Sequence, residues 1–140
     1  MFKKIIVGMD FSETSERAAR AAMELAAGLG AEVVLVHVLP SGADYADAGG
    51  FVEKMRPNVE AEIKACVQKL SKGSAVRIDW GIVDGRPAEE IVSFATKWGG
   101  DMIVTGTAGK GGVTRMILGS VAERIVRMAT VPVLVVGPEK

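Results

Sequence analysis

Short apolar runs alternate along the chain with longer segments whose apolar residues recur at helical spacing. The runs with strand character are KKIIVGM, AEVVLVHVLP, AVRIDWGIV, DMIVTG and VPVLVV. The intervening segments predict helices that start near Ser12, Phe51, Pro87 and Ser120. The resulting order, β-α-β-α-β-α-β-α-β, favours a parallel sheet with helices on both faces.

Local signals mark the ends of several predicted elements. Asp10, Ser12 and Thr14 offer capping oxygens to the first helix, and Gly28 or Gly30 can end it. Its predicted sheet-facing residues are Ala18, Ala22, Leu25 and Leu29. Small and polar residues from Ser41 to Gly50 predict a loop.

The second half of the chain carries similar signals. The second helix covers Phe51 to Lys72 with Pro57 inside it, so it starts near Pro57 or kinks there, and Gly73 fits its cap. The third predicted strand alternates apolar residues with polar residues or glycine, which indicates one wetter face and a place at a sheet edge. The third helix starts at Pro87, and its predicted buried face is Ile91, Phe94, Ala95 and Trp98.

Length, charge and cysteine content narrow the class of protein. The 140 residues predict a single domain spanning 1–140. A formal net charge of zero argues against a generally basic nucleic-acid binder. Cys66 is the single cysteine, so no internal disulfide is expected. With no apolar run long enough to be a signal peptide or a membrane span, we expect a cytoplasmic protein without membrane or nucleic-acid partners.

Two loops carry residues suited to ligand binding. One is GMDFS after the first strand, and the other is the glycine segment VTGTAGKGGVTRMILGSVAE after the fourth. A strand order of 3-2-1-4-5 with right-handed crossovers brings both loops to one crevice, where doubly wound sheets bind ligands.

The glycine segment favours anion binding by the main chain. Gly106 and Gly109 would let backbone N–H groups approach phosphate oxygens without a clash. Ser120 starts the last helix, whose free N–H groups and dipole suit an anion. Lys110 and Arg115 add positive charge nearby. The alternative is a loose turn with no ligand.

The sequence resembles the universal stress protein family. GTAGKGGVTRMILGS matches the G-x2-G-x9-G-[ST] motif of its ATP-binding members. Further similarity lies in KKIIVGMDFSETS, VVLVHVLP, GRPAEEIVSFATKWGGDMIVTGT and SVAERIVRMATVPVLVV. The resemblance implies a single-domain, Rossmann-like α/β sandwich of the adenine nucleotide alpha hydrolase-like type, with five parallel strands in the order 3-2-1-4-5.

The resemblance also implies ATP, ADP or AMP as the ligand, with Mg²⁺ held mainly through the phosphates. The implied adenosine contacts are Gly8, Met9, Asp10 and the backbone of Val38, and the implied ribose and phosphate contacts are Gly106, Gly109, Gly119, Ser120 and Val121. Many members have His or Arg where this chain has Ala108, so one polar contact is missing. A homodimer through the last strand, Val131–Val136, is implied as well; its edge could instead be covered by the C-terminal residues.

Three functions are compatible with these observations. We expect an ATP-binding regulatory module of the stress response without fast catalysis. The alternatives are a slow Mg-dependent ATPase or nucleotidyl-transfer enzyme, with Asp10 or Ser12 orienting water or metal, and a nucleotide-free dimeric interaction protein. Gly109→Val is predicted to block nucleotide binding with little loss of fold.

Other chemically notable residues have structural explanations. His37, the single histidine, is expected to be a hydrogen-bonded structural residue of a buried strand. Cys66 is expected to be inert because no base accompanies it. Arg124 and Arg127 complement the dipole of the last helix.

Overall fold

The computed structural model describes residues 1–41, 50–108 and 118–139. These residues form five strands and four helices in strict alternation. The elements are β1 Lys4–Gly8, α1 Glu13–Leu29, β2 Glu32–Pro40, α2 Phe51–Ser71, β3 Ile78–Gly85, α3 Pro87–Lys97, β4 Met102–Gly106, α4 Ser120–Met128 and β5 Val133–Val136.

All strand pairs are parallel, and the sheet order is β3-β2-β1-β4-β5. The predicted order and fold class are therefore confirmed, as is the position of β3 at an edge. The central strand β1 has a neighbour on each side. Val7 pairs with Leu35 of β2 on one side and with Val104 of β4 on the other. The order in which the chain adds strands reverses at β1, from β2 and β3 on one side to β4 and β5 on the other, which opens a crevice above the carboxyl ends of β1 and β4.

Helices cover both faces of the sheet and make two cores. On one face α1 and α2 bury Ala18, Ala22 and Ile63 against Val33 and Leu35. On the other face α3 and α4 cover the sheet in a second core, which contains Ile6, Val34, Val36, Ala88, Ile91, Ala95, Ile103 and Ile125. The alanines of α1 let the helix lie close to the sheet, because a methyl group leaves little separation between backbones.

Several predicted end signals are confirmed. Ser12 caps α1, and its side chain accepts a hydrogen bond from Ser15 N. Gly30 ends α1 with φ 67°, and Pro87 is the first residue of α3. The helix α2 begins at Phe51, so Pro57 lies inside the helix and does not start it.

Three expectations need correction or fall outside the description. Leu29 is 48% exposed and Trp98 is 59% exposed. Both stand at the end of their helices, beyond the last turn that packs on the sheet, and Trp98 stacks on Phe94. Residues 42–49 of the predicted loop lie outside the described residues. A separate observation concerns membranes: no helix in the described residues qualifies as a membrane span.

Candidate functional site

The carboxyl ends of β1 and β4 border a cleft with a volume of about 560 Å³. Eight of the nine predicted site residues line it, and the ninth, Gly109, lies outside the described residues. The eight are Gly8, Met9, Asp10, Val38, Gly106, Gly119, Ser120 and Val121. The topology therefore brings the two loops together as expected, and the ligand contacts of these residues stay predictions.

The loop after β1 is held by its own side chains. Asp10 Oδ1 accepts hydrogen bonds from Ser12 N, at 3.0 Å, and from Ser12 Oγ. Ser12 Oγ in turn accepts from Ser15 N at 3.2 Å, which caps α1. The carboxylate of Asp10 is thus oriented through Oδ1, while its exposed position in the cleft leaves Oδ2 able to accept from a ligand hydroxyl.

Phe11 and His37 form a part of the cleft that the sequence did not assign to the site. Phe11 has φ 65°, a left-handed conformation that is rare and costly for an aromatic residue. Its ring stacks on that of His37, with centroids 4.9 Å apart and planes at 29°. The Nδ1 atom of His37 lies 2.7 Å from Met9 O. The expectation of a hydrogen-bonded His37 is confirmed, but the residue also lines the cleft.

The two described glycines of the motif are required by close packing of the protein on itself. A β-carbon on Gly106 would lie 2.5 Å from Thr14 Oγ1 and 2.8 Å from the Thr14 carbonyl carbon. A β-carbon on Gly119 would lie 2.7 Å from Thr107 O. For Gly106 this differs from the sequence-based reason, because the missing side chain makes room for α1 and not for a phosphate.

The first helix also holds the loop that follows β4. Thr14 is buried, and its Oγ1 donates a hydrogen bond to Ala108 O. Arg17 Nη1 donates to Gly137 O just beyond β5. Together these contacts fix the start of the glycine segment and the end of the last strand against α1.

The start of α4 opens on the cleft. Gly119 is its N-cap, and no side chain in the described part of the chain caps the first turn. The exposed Ser120 and Val121 and the buried Ala122 lie in that turn and line the cleft. Uncapped N–H groups and the positive end of the helix dipole make this point favourable for an anion. Lys110 and Arg115 lie outside the described residues.

The side of the cleft next to β2 is lined mostly by apolar side chains, with Glu62 of α2 as the charged exception. It is lined by side chains of β2, α2 and α3, which include Leu39, Pro40, Val52, Met55, Val59 and Ile91. A ligand with one apolar ring and one anionic end would find both environments in the same cleft.

The arginines of α4 form ion pairs, one of them with the neighbouring helix α3. Arg124 Nη2 lies 2.5 Å from Glu89 Oε1 of α3, and Arg86 Nε lies 3.0 Å from Glu89 Oε2. Arg124 thus joins α4 to α3, which is a more specific role than the predicted complement to the helix dipole. Arg127 pairs with Glu123 of its own helix.

Neither a thiol with a lowered pKa nor a metal-ligand cluster is found in the described residues. Burial raises the pKa of the Cys66 thiol, and the carboxylates of Glu16 and Glu62 add to the rise. The described ranges contain no group of three or more His, Cys, Asp or Glu side chains placed to hold a metal ion.

Comparison with known proteins decides the family. The model of the universal stress protein family matches residues 1–137. The chain belongs to the universal stress protein family. Universal stress protein MJ0531 of Methanocaldococcus jannaschii is 36% identical over 144 aligned residues, which cover 100% of this chain and 85% of that protein.

Solved structures of universal stress proteins share the fold. The structure of MJ0577 from M. jannaschii, a universal stress protein whose biochemical function was assigned from its structure, has a TM-score of 0.82 and 31% identity, covering 100% of this chain and 99% of that one. The universal stress protein from Archaeoglobus fulgidus in complex with dAMP has a TM-score of 0.71 and 26% identity, covering 97% and 99%.

The universal stress protein motif G-x2-G-x9-G-[ST] here begins at Gly106 and ends at Ser120. Its two ends lie together, because Gly119 N donates to Thr107 O at 2.6 Å. Ala108 lines the cleft. Its carbonyl already accepts from Thr14, so the backbone position of this residue does not depend on a longer side chain.

Proposed function

We propose that this universal stress protein binds an adenine nucleotide (ATP, or ADP or AMP) in the cleft between the loops after β1 and β4. The observation that carries the proposal is the uncapped start of α4, which borders a cleft whose β2 side is mostly apolar. The A. fulgidus universal stress protein, which shares the fold over nearly its whole length, was solved with dAMP.

The chemistry of the cleft suggests the orientation of the nucleotide. The adenine ring would lie among the apolar side chains near Val38 and Met55, and the ribose hydroxyls would donate to Asp10 Oδ2. The phosphates would accept hydrogen bonds from the first N–H groups of α4, near Ser120 and Val121. Mg²⁺ would be held mainly by the phosphates, since Asp10 is the only carboxylate among the proposed contacts.

We propose a regulatory role without fast catalysis. Asp10 Oδ1 and Ser12 Oγ, the groups that an ATPase or nucleotidyl transferase would use to orient water or metal, are bonded to each other, and Ser12 Oγ also caps α1. Activation of a water molecule needs a base within hydrogen-bond reach of it; here Oδ1 is engaged by Ser12, and the proposed ribose contact occupies Oδ2. The protein would therefore report nucleotide binding through its surface and its partners, as a cytoplasmic homodimer joined at the edge strand β5.

A charge introduced at the start of α4 tests the binding site. Val121 is 37% exposed, so Val121→Glu places a carboxylate at the proposed phosphate position. An acidic residue in the first turn favours the helix, so folding is preserved while ATP affinity falls at least tenfold and adenosine affinity changes little. Val126→Glu is the matched control, because Val126 lies on the same helix, is 49% exposed and does not line the cleft.

Calorimetry with ATP, ADP, AMP and adenosine measures these affinities, and equal ATP affinity in both variants would refute the phosphate position.

Phosphate release from Mg-ATP separates the functional alternatives. Turnover near or above about one per second would establish an enzyme. Absence of binding by all four ligands would favour a nucleotide-free interaction protein.

A further inference from the structure

Alternate residues of β2 direct their backbone groups to opposite neighbours. Val36 O accepts from Met9 N at 2.8 Å, toward β1, whereas Val33 N donates to Arg77 O at 2.9 Å, toward β3. Because N–H and C=O of one residue point to the same side and alternate along a strand, Val38 turns both groups to the β1 side. Since β1 ends at Gly8, that side of Val38 opens on the cleft.

A regular parallel ladder would close this opening. After the bond from Met9 N to Val36 O, the next step of the pattern is a bond from Val38 N to Met9 O. The hydrogen bonds of the described residues include no such bond. Met9 O is instead 2.7 Å from Nδ1 of His37. A carbonyl oxygen only accepts, so His37 Nδ1 carries the proton in this contact.

The imidazole is suited to take the place of a backbone donor. Met9 is 2% exposed, so its carbonyl needs a partner within the protein. The ring of His37 is held by stacking on Phe11, which itself has φ 65°. The chain therefore leaves the sheet at Met9, whose carbonyl is bound by the side chain of His37 and not by a backbone amide of β2.

We propose that His37 is a positioning residue of the nucleotide site: because its side chain stands on the face of the sheet, its bond to Met9 O draws that carbonyl out of line with Val38 N–H and leaves this amide available to the adenine base. The proposal rests on the proposed function, because it assigns the ligand that takes up the amide. It also gives a role to the imidazole near the end of β2, a strand whose neighbouring residues are otherwise apolar.

Two substitutions separate the donor from the ring. His37→Phe keeps the stacking partner of Phe11 and removes the donor, so Met9 O is left to bond Val38 N–H. His37→Asn loses the ring but places an amide N–H near the position of Nδ1. We expect His37→Phe to weaken adenosine and ATP by the same factor, about tenfold. We expect His37→Asn to bind both ligands with most of the wild-type affinity.

The exchange rate of the Val38 amide gives a readout that a merely structural role would not change. In the wild type we expect this amide to exchange rapidly without ligand and to be protected when adenosine is bound. In His37→Phe it should be protected already without ligand. Rapid exchange in His37→Phe, together with unchanged adenosine affinity, would overturn the proposal.

The tautomer of His37 provides a test that needs no variant. His37 is the single histidine of the chain, so its ring nitrogens give one set of signals in a ¹⁵N spectrum. The proposal requires the Nδ1–H form, and an Nε2–H form or a protected Val38 amide in the ligand-free wild type would contradict it. If the wild type bound no nucleotide, the proposed function would fail, while the tautomer and the exchange rate would still decide whether His37 holds the ladder open.

Discussion

Gly106 lies directly against Thr14, and a β-carbon at Gly106 would lie 2.5 Å from Thr14 Oγ1 and 2.8 Å from the Thr14 carbonyl carbon. The backbone atom cannot move without shifting α1. We therefore expect Gly106→Ala to lower the free energy of unfolding by about 1–3 kcal/mol, as overpacking does. Urea unfolding followed by circular dichroism measures the change.

Gly28→Ala is the matched control for this prediction. Gly28 lies in the last turn of α1, and a β-carbon there would have no heavy atom within 4 Å. The substitution should raise stability by up to about 1 kcal/mol, because alanine favours the helix. If Gly106→Ala behaved like Gly28→Ala, the close approach of β4 to α1 would be wrong.

The hydroxyl of Thr14 should contribute more to the free energy of unfolding than the hydroxyl of Thr96. Thr14 Oγ1 donates to Ala108 O, a contact between residues 94 positions apart. Thr14→Val keeps the shape, removes the donor, and should cost about 1–2 kcal/mol of unfolding free energy. Thr96→Val removes an exposed hydroxyl bonded within its own helix, to Val92 O at 3.2 Å, and should cost much less. Equal losses in urea unfolding would contradict the role of Thr14.

Cys66 should react slowly with alkylating reagents in the folded protein. Burial raises the pKa of its thiol, so less of the reactive thiolate is present at a given pH. The unfolded thiol loses its proton at lower pH, so this group also reduces stability as the pH rises above the unfolded pKa. Iodoacetamide labelling followed by mass spectrometry should show faster modification in urea than in buffer; equal rates would refute the buried environment.

The open edge of β5 can be tested without disturbing the sheet. Thr107 N donates to Val136 O, so the even-numbered residues of β5 direct their backbone N–H and C=O groups toward β4. Val135 therefore directs its N–H away from the sheet. Val135→Pro removes only that outward donor, which an edge strand tolerates. If the protein is a homodimer through β5, the variant should be monomeric by sedimentation velocity while the wild type is dimeric. A dimer that survives the substitution would place the interface elsewhere.

The sequence predicted the fold well because its signals are local. Periodic apolar residues defined the strands and helices, and Ser12, Gly30 and Pro87 marked helix ends through chemistry that depends on adjacent residues. The strand order followed from crossover handedness together with the two loops that needed to meet. Strands, caps and order all depend on short segments or on general rules of topology.

The contacts inside the site were harder to predict because they join distant positions. Nothing near Thr14 indicates that its hydroxyl reaches Ala108, and nothing near Arg124 indicates Glu89 of another helix. The left-handed φ of Phe11 has no signal in residue type, since an aromatic residue disfavours it. Histidine in an apolar strand indicated a hydrogen bond but not its acceptor, which is the carbonyl of Met9, the residue that follows β1.

The most direct test of the nucleotide site is a titration of the ¹⁵N-labelled protein with ATP, followed by amide chemical shifts. We predict saturable binding, with the largest changes at Met9, Val38 and Gly119 to Val121, which line the cleft. Absence of saturation at millimolar ATP, or changes confined to residues outside the cleft, would contradict nucleotide binding between the loops after β1 and β4.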